Sequence, residues 1–257
     1  MSVALIAITC IAGLLIGSFL TVVVDRVPRS ASIAAPRSAC GSCGLELGPL
    51  DLVPVVSWLA LGGRCRRCRT RIGAEPLVLE LMTAGLFLAI ALRFRNGWET
   101  AAFCTLLGGL IGLSWIDVRT QRLPRQITYA TLALGAPLLT FAAIVKHEPR
   151  RILTMMAGAL IALVFMALLY VFSRGGMGDG DVRLSPLLGG YLGWLGLAYV
   201  PVGLFLGFLL GAVVGVGAMI LGRAGRKTAL PFGPFLSAGT VVAVFFGDRV
   251  IHRLWPR

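Results

Sequence analysis

Charge is the scarcest property of this chain. Lys, Arg, Asp and Glu make up 14% of its 257 residues, and only 11 residues are acidic. Set beside 57% hydrophobic residues, so little charge excludes a globule solvated mainly by water. The basic lead-in of a secretory signal is also missing. Residues 3–24 carry no charge, too long a run for a cleavable apolar core of about 7–15 residues, so the segment reads as a retained first span. No basic face is interleaved with exposed aromatics, which excludes a nucleic-acid partner despite a net charge of +13. No internal repeat is evident, which weighs against the many transporters built from one.

What is present is apolar sequence long enough to cross a bilayer. Uncharged stretches run over residues 3–24, 101–116, 126–145, 152–173 and 184–222, against the roughly 20 residues a spanning helix needs. The last is too long for one span; Pro186 and Pro201 predict two helices joined by a turn near Tyr199 to Pro201. Weaker spans are expected over 76–92, interrupted by Glu80, and from Phe235 to about Ile251, fraying near Asp248. The fold class is therefore all-α and polytopic, a lipid-embedded chain of about eight transmembrane helices. Numbering the loops alternately gathers 16 of the 24 basic residues into the segments 25–75, 117–125, 173–183 and 223–227. The positive-inside rule places those segments in the cytoplasm and both termini outside it. Three regions follow: residues 1–25 as the first transmembrane helix, 26–75 as a cytoplasmic four-cysteine loop, and 76–257 as a membrane domain of about seven helices.

The 26–75 loop carries Cys40-Gly-Ser-Cys43 and Cys65-Arg-Arg-Cys68. Two C-x2-C knuckles can bring four thiolates onto one ion, the arrangement of a structural zinc site that leaves no open coordination position for catalysis. A thioredoxin-like redox pair lacks its βαβ context, and disulfides are disfavoured in a reducing cytosol. Cys10 and Cys104 lie in apolar spans and read as packing residues. The apolar segment 50–62, interrupted by Pro54, is too short to span and reads as a small core on the knuckle or an interfacial segment.

Acidic residues near spans are expensive and need a reason. Glu80, Asp117, Asp179 and Asp181 stand out. The topology brings Asp117, Asp179 and Asp181 out on the cytoplasmic side at one depth. Paired carboxylates there suit an aspartyl dyad, one protonated and one activating water. Gly175, Gly176, Gly178 and Gly180 suit a tight turn open to a substrate strand. From the residues alone, a solvated glycine-rich turn and a proton-coupled transporter stay open beside the dyad.

In this order the motifs resemble the prepilin peptidase family, bifunctional type IV leader peptidases and N-methyltransferases. Gly17 to Pro28 resembles its G-S-F-L-N-V-V-I-Y-R-L-P. Asp51 to Leu59 between the knuckles is similar to D-x-x-P-x-x-S-W-L, and Pro76 to Thr83 to P-L-V-E-L-L-T. Asp117 with Leu123-Pro124 matches the first-aspartate motif, Gly178-Asp-Gly-Asp181 matches G-x-G-D, and Pro231 to Phe235 matches P-F-G-P-F. The resemblance implies a G-x-G-D aspartic peptidase of the bacterial inner membrane. Asp117 and Asp181 would be its catalytic pair, supported by Gly178, Gly180, Asp179 and Arg183, with Arg183 placing a cation beside Asp181 where the family has lysine. It implies type IV prepilin or pseudopilin precursors as substrates, each with a short basic leader, a glycine and a hydrophobic helix. It also implies methylation of the new amino terminus with S-adenosylmethionine, carried by the 26–75 loop. Thr21 and Asp25 depart from the family's asparagine and tyrosine, and the loop offers no separate methyl-donor motif, which leaves a peptidase without methylation as the alternative. Glu80 falls near the acid that follows the family's P-L-V run.

Overall fold

Apolar chain in lipid must pair its backbone internally. The computed structural model describes residues 3–94, 96–173, 176–222 and 230–254, and within them contains no strand. Gly175 and six of the basic residues counted above, Arg95, Arg174, Arg223, Arg226, Lys227 and Arg257, lie outside the described residues. The helices are α1 (Val3–Arg26), α2 (Val56–Ala60), α3 (Glu75–Arg93), α4 (Gly97–Thr120), α5 (Arg125–Val145), α6 (Arg150–Phe172), α7 (Asp179–Leu195), α8 (Tyr199–Ile220) and α9 (Gly233–Leu254). All but α2 and α7 are long and apolar enough to cross a membrane. With its 17 residues, α7 is the short eighth long helix of a polytopic membrane protein.

The chain divides into two compact units, Met1–Thr100 and Ala101–Arg257. In the first, α1 lies against α3 at backbone contact. A Cβ on Gly13 would stand 2.6 Å from Ala84 Cα, and one on Gly17 2.5 Å from Glu80 Cα. Small residues permit this closeness, which drives helix association where lipid supplies no hydrophobic force. The 26–75 loop between these helices holds two 3₁₀ turns, Val27–Arg29 and Pro49–Leu52, and the short α2.

In the second unit α7 is the core. Leu184, Ser185 and every residue from Leu187 to Trp194 are buried, whereas on α6 only Gly158, Ala162 and Met166 are. The exposed face of α6 carries Leu153, Met156, Leu160, Val164, Leu168 and Val171, as lipid contact requires. The α6 and α7 backbones meet where a Cβ on Gly158 would stand 2.4 Å from the Gly189 carbonyl oxygen. Tyr191 donates its hydroxyl hydrogen to the Ala102 carbonyl at 3.0 Å and meets Phe103 edge-on at 5.2 Å between ring centroids. Pro186 lies inside α7 and supplies no N–H to the Val182 carbonyl; the Ser185 hydroxyl donates to that carbonyl instead, at 2.9 Å.

Three boundaries differ from expectation. The turn in the long apolar stretch falls at residues 196–198, where Gly196 adopts φ +148°, and Pro201 sits in the first turn of α8, where a missing N–H breaks no helical bond. The last helix does not fray at Asp248 but continues to Leu254, because the Tyr199 hydroxyl bonds the Asp248 carboxylate. The Gly178–Asp181 segment is not an open loop: Gly178 caps α7, and Asp179, Gly180 and Asp181 form its first turn.

Candidate active site

The second unit brings three distant motifs to one place. Asp117 lies one turn before the end of α4, Asp181 in the first turn of α7 and Gly233 at the start of α9. The Gly233 N–H donates to Asp117 Oδ2 at 2.9 Å, an orphan helix-start donor meeting a carboxylate. A side chain at Gly233 has no room, since its Cβ would stand 2.8 Å from Asp117 Oδ2 and 3.0 Å from Leu123 Cδ2. Leu123 also packs on α7, where a Cβ on Gly180 would stand 3.0 Å from Leu123 Cβ. Gly180 is thus needed for the close approach of Leu123, not for a special backbone angle.

Both carboxylates are buried, Asp117 at 5% exposure and Asp181 at 6%. Asp117 and Asp179 are the acids whose charge reaches Asp181. Asp181 Oδ1 is buried without a hydrogen-bond partner among the described residues. Such an acceptor is costly unless water or a ligand fills its place. Asp179 differs: its side chain is 64% exposed and pairs with Arg183 Nη2 at 2.8 Å, four residues along α7. The guanidinium expected beside Asp181 therefore bridges to Asp179, because the helical i,i+4 spacing joins those two. Arg183 Nε is buried without a partner among the described residues.

The first unit gathers Cys40, Cys43, Cys65 and Cys68, with all four sulfurs within 4.8 Å of one another. Cys40 and Cys68 sulfurs are 3.7 Å apart, and those of Cys43 and Cys65 are 3.9 Å apart. A zinc tetrahedron with bonds of about 2.3 Å has edges of about 3.8 Å, which these two pairs match, and four cysteine sulfurs are a donor set that zinc takes. The knuckles repeat one local plan: the Cys40 N–H bonds Leu45 O and the Cys65 N–H bonds Thr70 O, each at 2.9 Å. Gly44 and Arg69 hold the matching positive φ angles, +69° and +59°. Cys68 is pulled down to about 6, first by the Thr70 hydroxyl and then by the Thr70 N–H. The N–H groups of Cys43 and Ser42 pull Cys40 down. Cys43 rises to about 11: the Leu45 N–H favours its thiolate, but burial and the sulfurs of Cys68, Cys40 and Cys65 outweigh it. Four thiols this close resist full ionisation until a cation joins them.

Above the knuckles, Asp51 Oδ1 accepts Arg66 Nη2 at 2.7 Å and Arg66 Nε at 3.0 Å, tying the apolar 50–62 segment to the second knuckle. The Trp58 indole N–H donates to Gly73 O at 3.2 Å, and its ring covers Gly63, which holds φ +64°. Leu50, Val56 and Leu59 stay exposed. Glu80, on α3 and 5% exposed, accepts the Val55 N–H on Oε2 at 2.7 Å. These elements enclose a cavity of about 390 Å³, lined among others by Ser18, Thr21, Ser57, Trp58, Arg66 and Glu80. Sequence reasoning flagged Glu80 as an acid in an apolar span and near the acid of the family's P-L-V run; its bond to Val55 and its place in the cavity had no sequence signal.

Two family models match the chain: the Bacterial Peptidase A24 N-terminal domain over residues 11–94 and the Type IV leader peptidase family over residues 104–216. Among similar curated proteins, the prepilin leader peptidase/N-methyltransferase of Pseudomonas aeruginosa is 32% identical, with 96% of this chain and 92% of that protein aligned. The protein of the same name from Bacillus subtilis is 32% identical over 96% of both chains. That from Burkholderia pseudomallei is 35% identical over 94% of this chain and 85% of its own. No solved structure matches. Identity of this order along nearly the whole chain, with the aspartate motifs meeting in one buried site, shows that this chain belongs to the type IV leader peptidase family.

Proposed function

We propose that this chain removes the leaders of type IV prepilin-like precursors with Asp117 and Asp181 as its catalytic pair and then methylates the exposed amino terminus. The observation that carries the peptidase reading is the convergence of two buried carboxylates from α4 and α7, one holding an unpaired oxygen. The pair holds one proton between them, as neighbouring carboxylates do in aspartic proteases. Asp181 Oδ1 takes a proton from water as the water oxygen attacks the scissile carbonyl carbon. The protonated partner gives its proton to the carbonyl oxygen. Collapse of the diol breaks the C–N bond: the departing nitrogen takes a proton from the pair, and one diol hydroxyl returns its proton to the pair as the new carbonyl forms. The Gly233 N–H fixes one oxygen of Asp117, so the carboxylate is positioned before substrate arrives.

The substrate suited to such a site has a short basic leader, a glycine and an apolar helix lying in the membrane. The chain resides in the inner membrane with both termini outside the cytoplasm, which puts its richest basic loops inside. Zinc would be held by Cys40, Cys43, Cys65 and Cys68, where it supplies folding energy and no open coordination position. S-adenosylmethionine, when bound, supplies an electrophilic methyl group. The cavity over the knuckles is about 390 Å³, within the roughly 300–1,000 Å³ of small-molecule sites, and offers the donor an aromatic wall.

Co-expression with a tagged precursor tests both activities, reading leader loss on a gel and terminal methylation by mass. Asp117→Asn and Asp181→Asn are each expected to abolish leader loss with normal protein yield and zinc content. Retained cleavage in either variant refutes the dyad.

A further inference from the structure

The cavity of the first unit is lined by four charged residues, Asp51, Arg66, Arg71 and Glu80. Asp51 is fully engaged: Oδ1 accepts two bonds from Arg66, and Oδ2 accepts the Gly48 N–H at 3.1 Å. Arg66 is taken by the same pair. The Thr21 hydroxyl, at the position that departs from the family pattern, donates back to Ser18 O at 2.6 Å on its own helix. Glu80 is the other carboxylate. Its Oε2 accepts the Val55 N–H, and Oε1 has no hydrogen bond among the described residues although Glu80 lines the cavity. A carboxylate 5% exposed, near the start of a membrane-crossing helix, with one oxygen turned to a ligand-sized cavity, calls for a cationic occupant. The loop is held around this group under strain: Val55, whose N–H it binds, is a β-branched residue at φ +62°.

We propose that this cavity is where the methyl group is transferred, and that Glu80 Oε1 binds the primary ammonium of the trimmed chain and takes one of its protons. This rests on the methylation reading above and deepens it. The ammonium gives a proton to Glu80. Its freed lone pair forms the N–C bond as the methyl–sulfur bond of the sulfonium donor breaks, with that electron pair staying on sulfur. The secondary ammonium departs, and the carboxyl proton passes to water. A single carboxylate suits both steps, since it orients the cationic nitrogen and removes the proton that blocks its lone pair.

The decisive variant is Glu80→Gln in the full-length enzyme, supplied with an already trimmed, unmethylated precursor. Glutamine keeps a carbonyl oxygen for the Val55 N–H, so a merely structural Glu80 is replaced without loss. The proposal expects kcat for methylation to fall about 10²–10⁴-fold and affinity for the trimmed chain to fall about tenfold. Leader removal from intact precursor and calorimetric binding of S-adenosylhomocysteine stay unchanged, and Glu80→Asp restores part of the methylation rate. Wild-type methylation by Glu80→Gln overturns the role. Loss of S-adenosylhomocysteine binding along with methylation also overturns it, assigning Glu80 to holding the Val55 loop. A wild-type enzyme that trims without adding a methyl mass refutes the methylation reading itself, a result separable from either of these.

Discussion

Gly233→Ala separates the position of the Asp117 carboxylate from the stability of the fold. An added methyl would stand 2.8 Å from Asp117 Oδ2, about 0.6 Å inside ordinary contact. The atom it meets is the end of a rotatable side chain, so the carboxylate turns away and the backbone stays. The fold loses at most the bond from the Gly233 N–H, on the order of 1.5–3 kcal/mol for a charged acceptor. Catalysis loses more, because a catalytic group misplaced by about 1 Å costs on the order of 10²-fold. The expected result is a roughly 10–100-fold drop in kcat for leader removal, with KM nearly unchanged. Gly180→Ala is the graded control: the nearest atoms its methyl meets all belong to Leu123, the first being Cβ at 3.0 Å. Its drop should be smaller. The assay is cleavage of a tagged precursor by purified enzyme in detergent, with thermal melting and methylation of trimmed precursor as fold controls. Wild-type cleavage by Gly233→Ala would refute the claim that this N–H and this gap hold Asp117 in its working position.

The other expectations are simpler. Asp179→Asn breaks an exposed helical ion pair worth about 0.3–0.5 kcal/mol and should leave cleavage near wild type, whereas Asp181→Asn should abolish it in the same gel assay. Tyr191→Phe removes the hydrogen bond to Ala102 in the membrane core and should destabilise the enzyme by about 0.6–2 kcal/mol in a detergent melt. Cys43→Ser, or chelation of the wild-type metal, should unfold the knuckles that form one wall of the cavity, lowering methylation and folded yield together. Full yield and methylation without bound metal would contradict a structural ion.

Much of the fold was legible because its signals are local. Uncharged stretches mark α1, α4, α5, α6 and α8 directly, since every lipid-facing residue is drawn from one small chemical class. The twin C-x2-C spacing predicts a four-sulfur cluster because each knuckle is closed by bonds within six residues of its first cysteine. The end of α9 was not legible, as Asp248 looks like a terminator until the Tyr199 hydroxyl, 49 residues away in sequence, satisfies it. The role of Gly180 was misread for a related reason. A glycine beside aspartates suggests a bent backbone, but here it sits in a helix and makes room for Leu123.

By itself the sequence determined that the chain lives in lipid, that it can bind a metal through four thiols, and that its motifs follow one family's order. Composition and spacing suffice for those because each depends on neighbouring residues or on bulk solvation. Tertiary structure alone decided which groups meet. Asp117 and Gly233 are 116 positions apart, and their bond exists only because glycines let the α6–α7 and α8–α9 backbones pack at contact and carry the α7 and α9 starts to Asp117. The same physics turned Asp179 outward to Arg183, kept Asp181 Oδ1 unpaired, and set Glu80 between a strained loop and an open cavity. Helix packing, which residue order does not state, chose among carboxylates that the sequence presents as near equals.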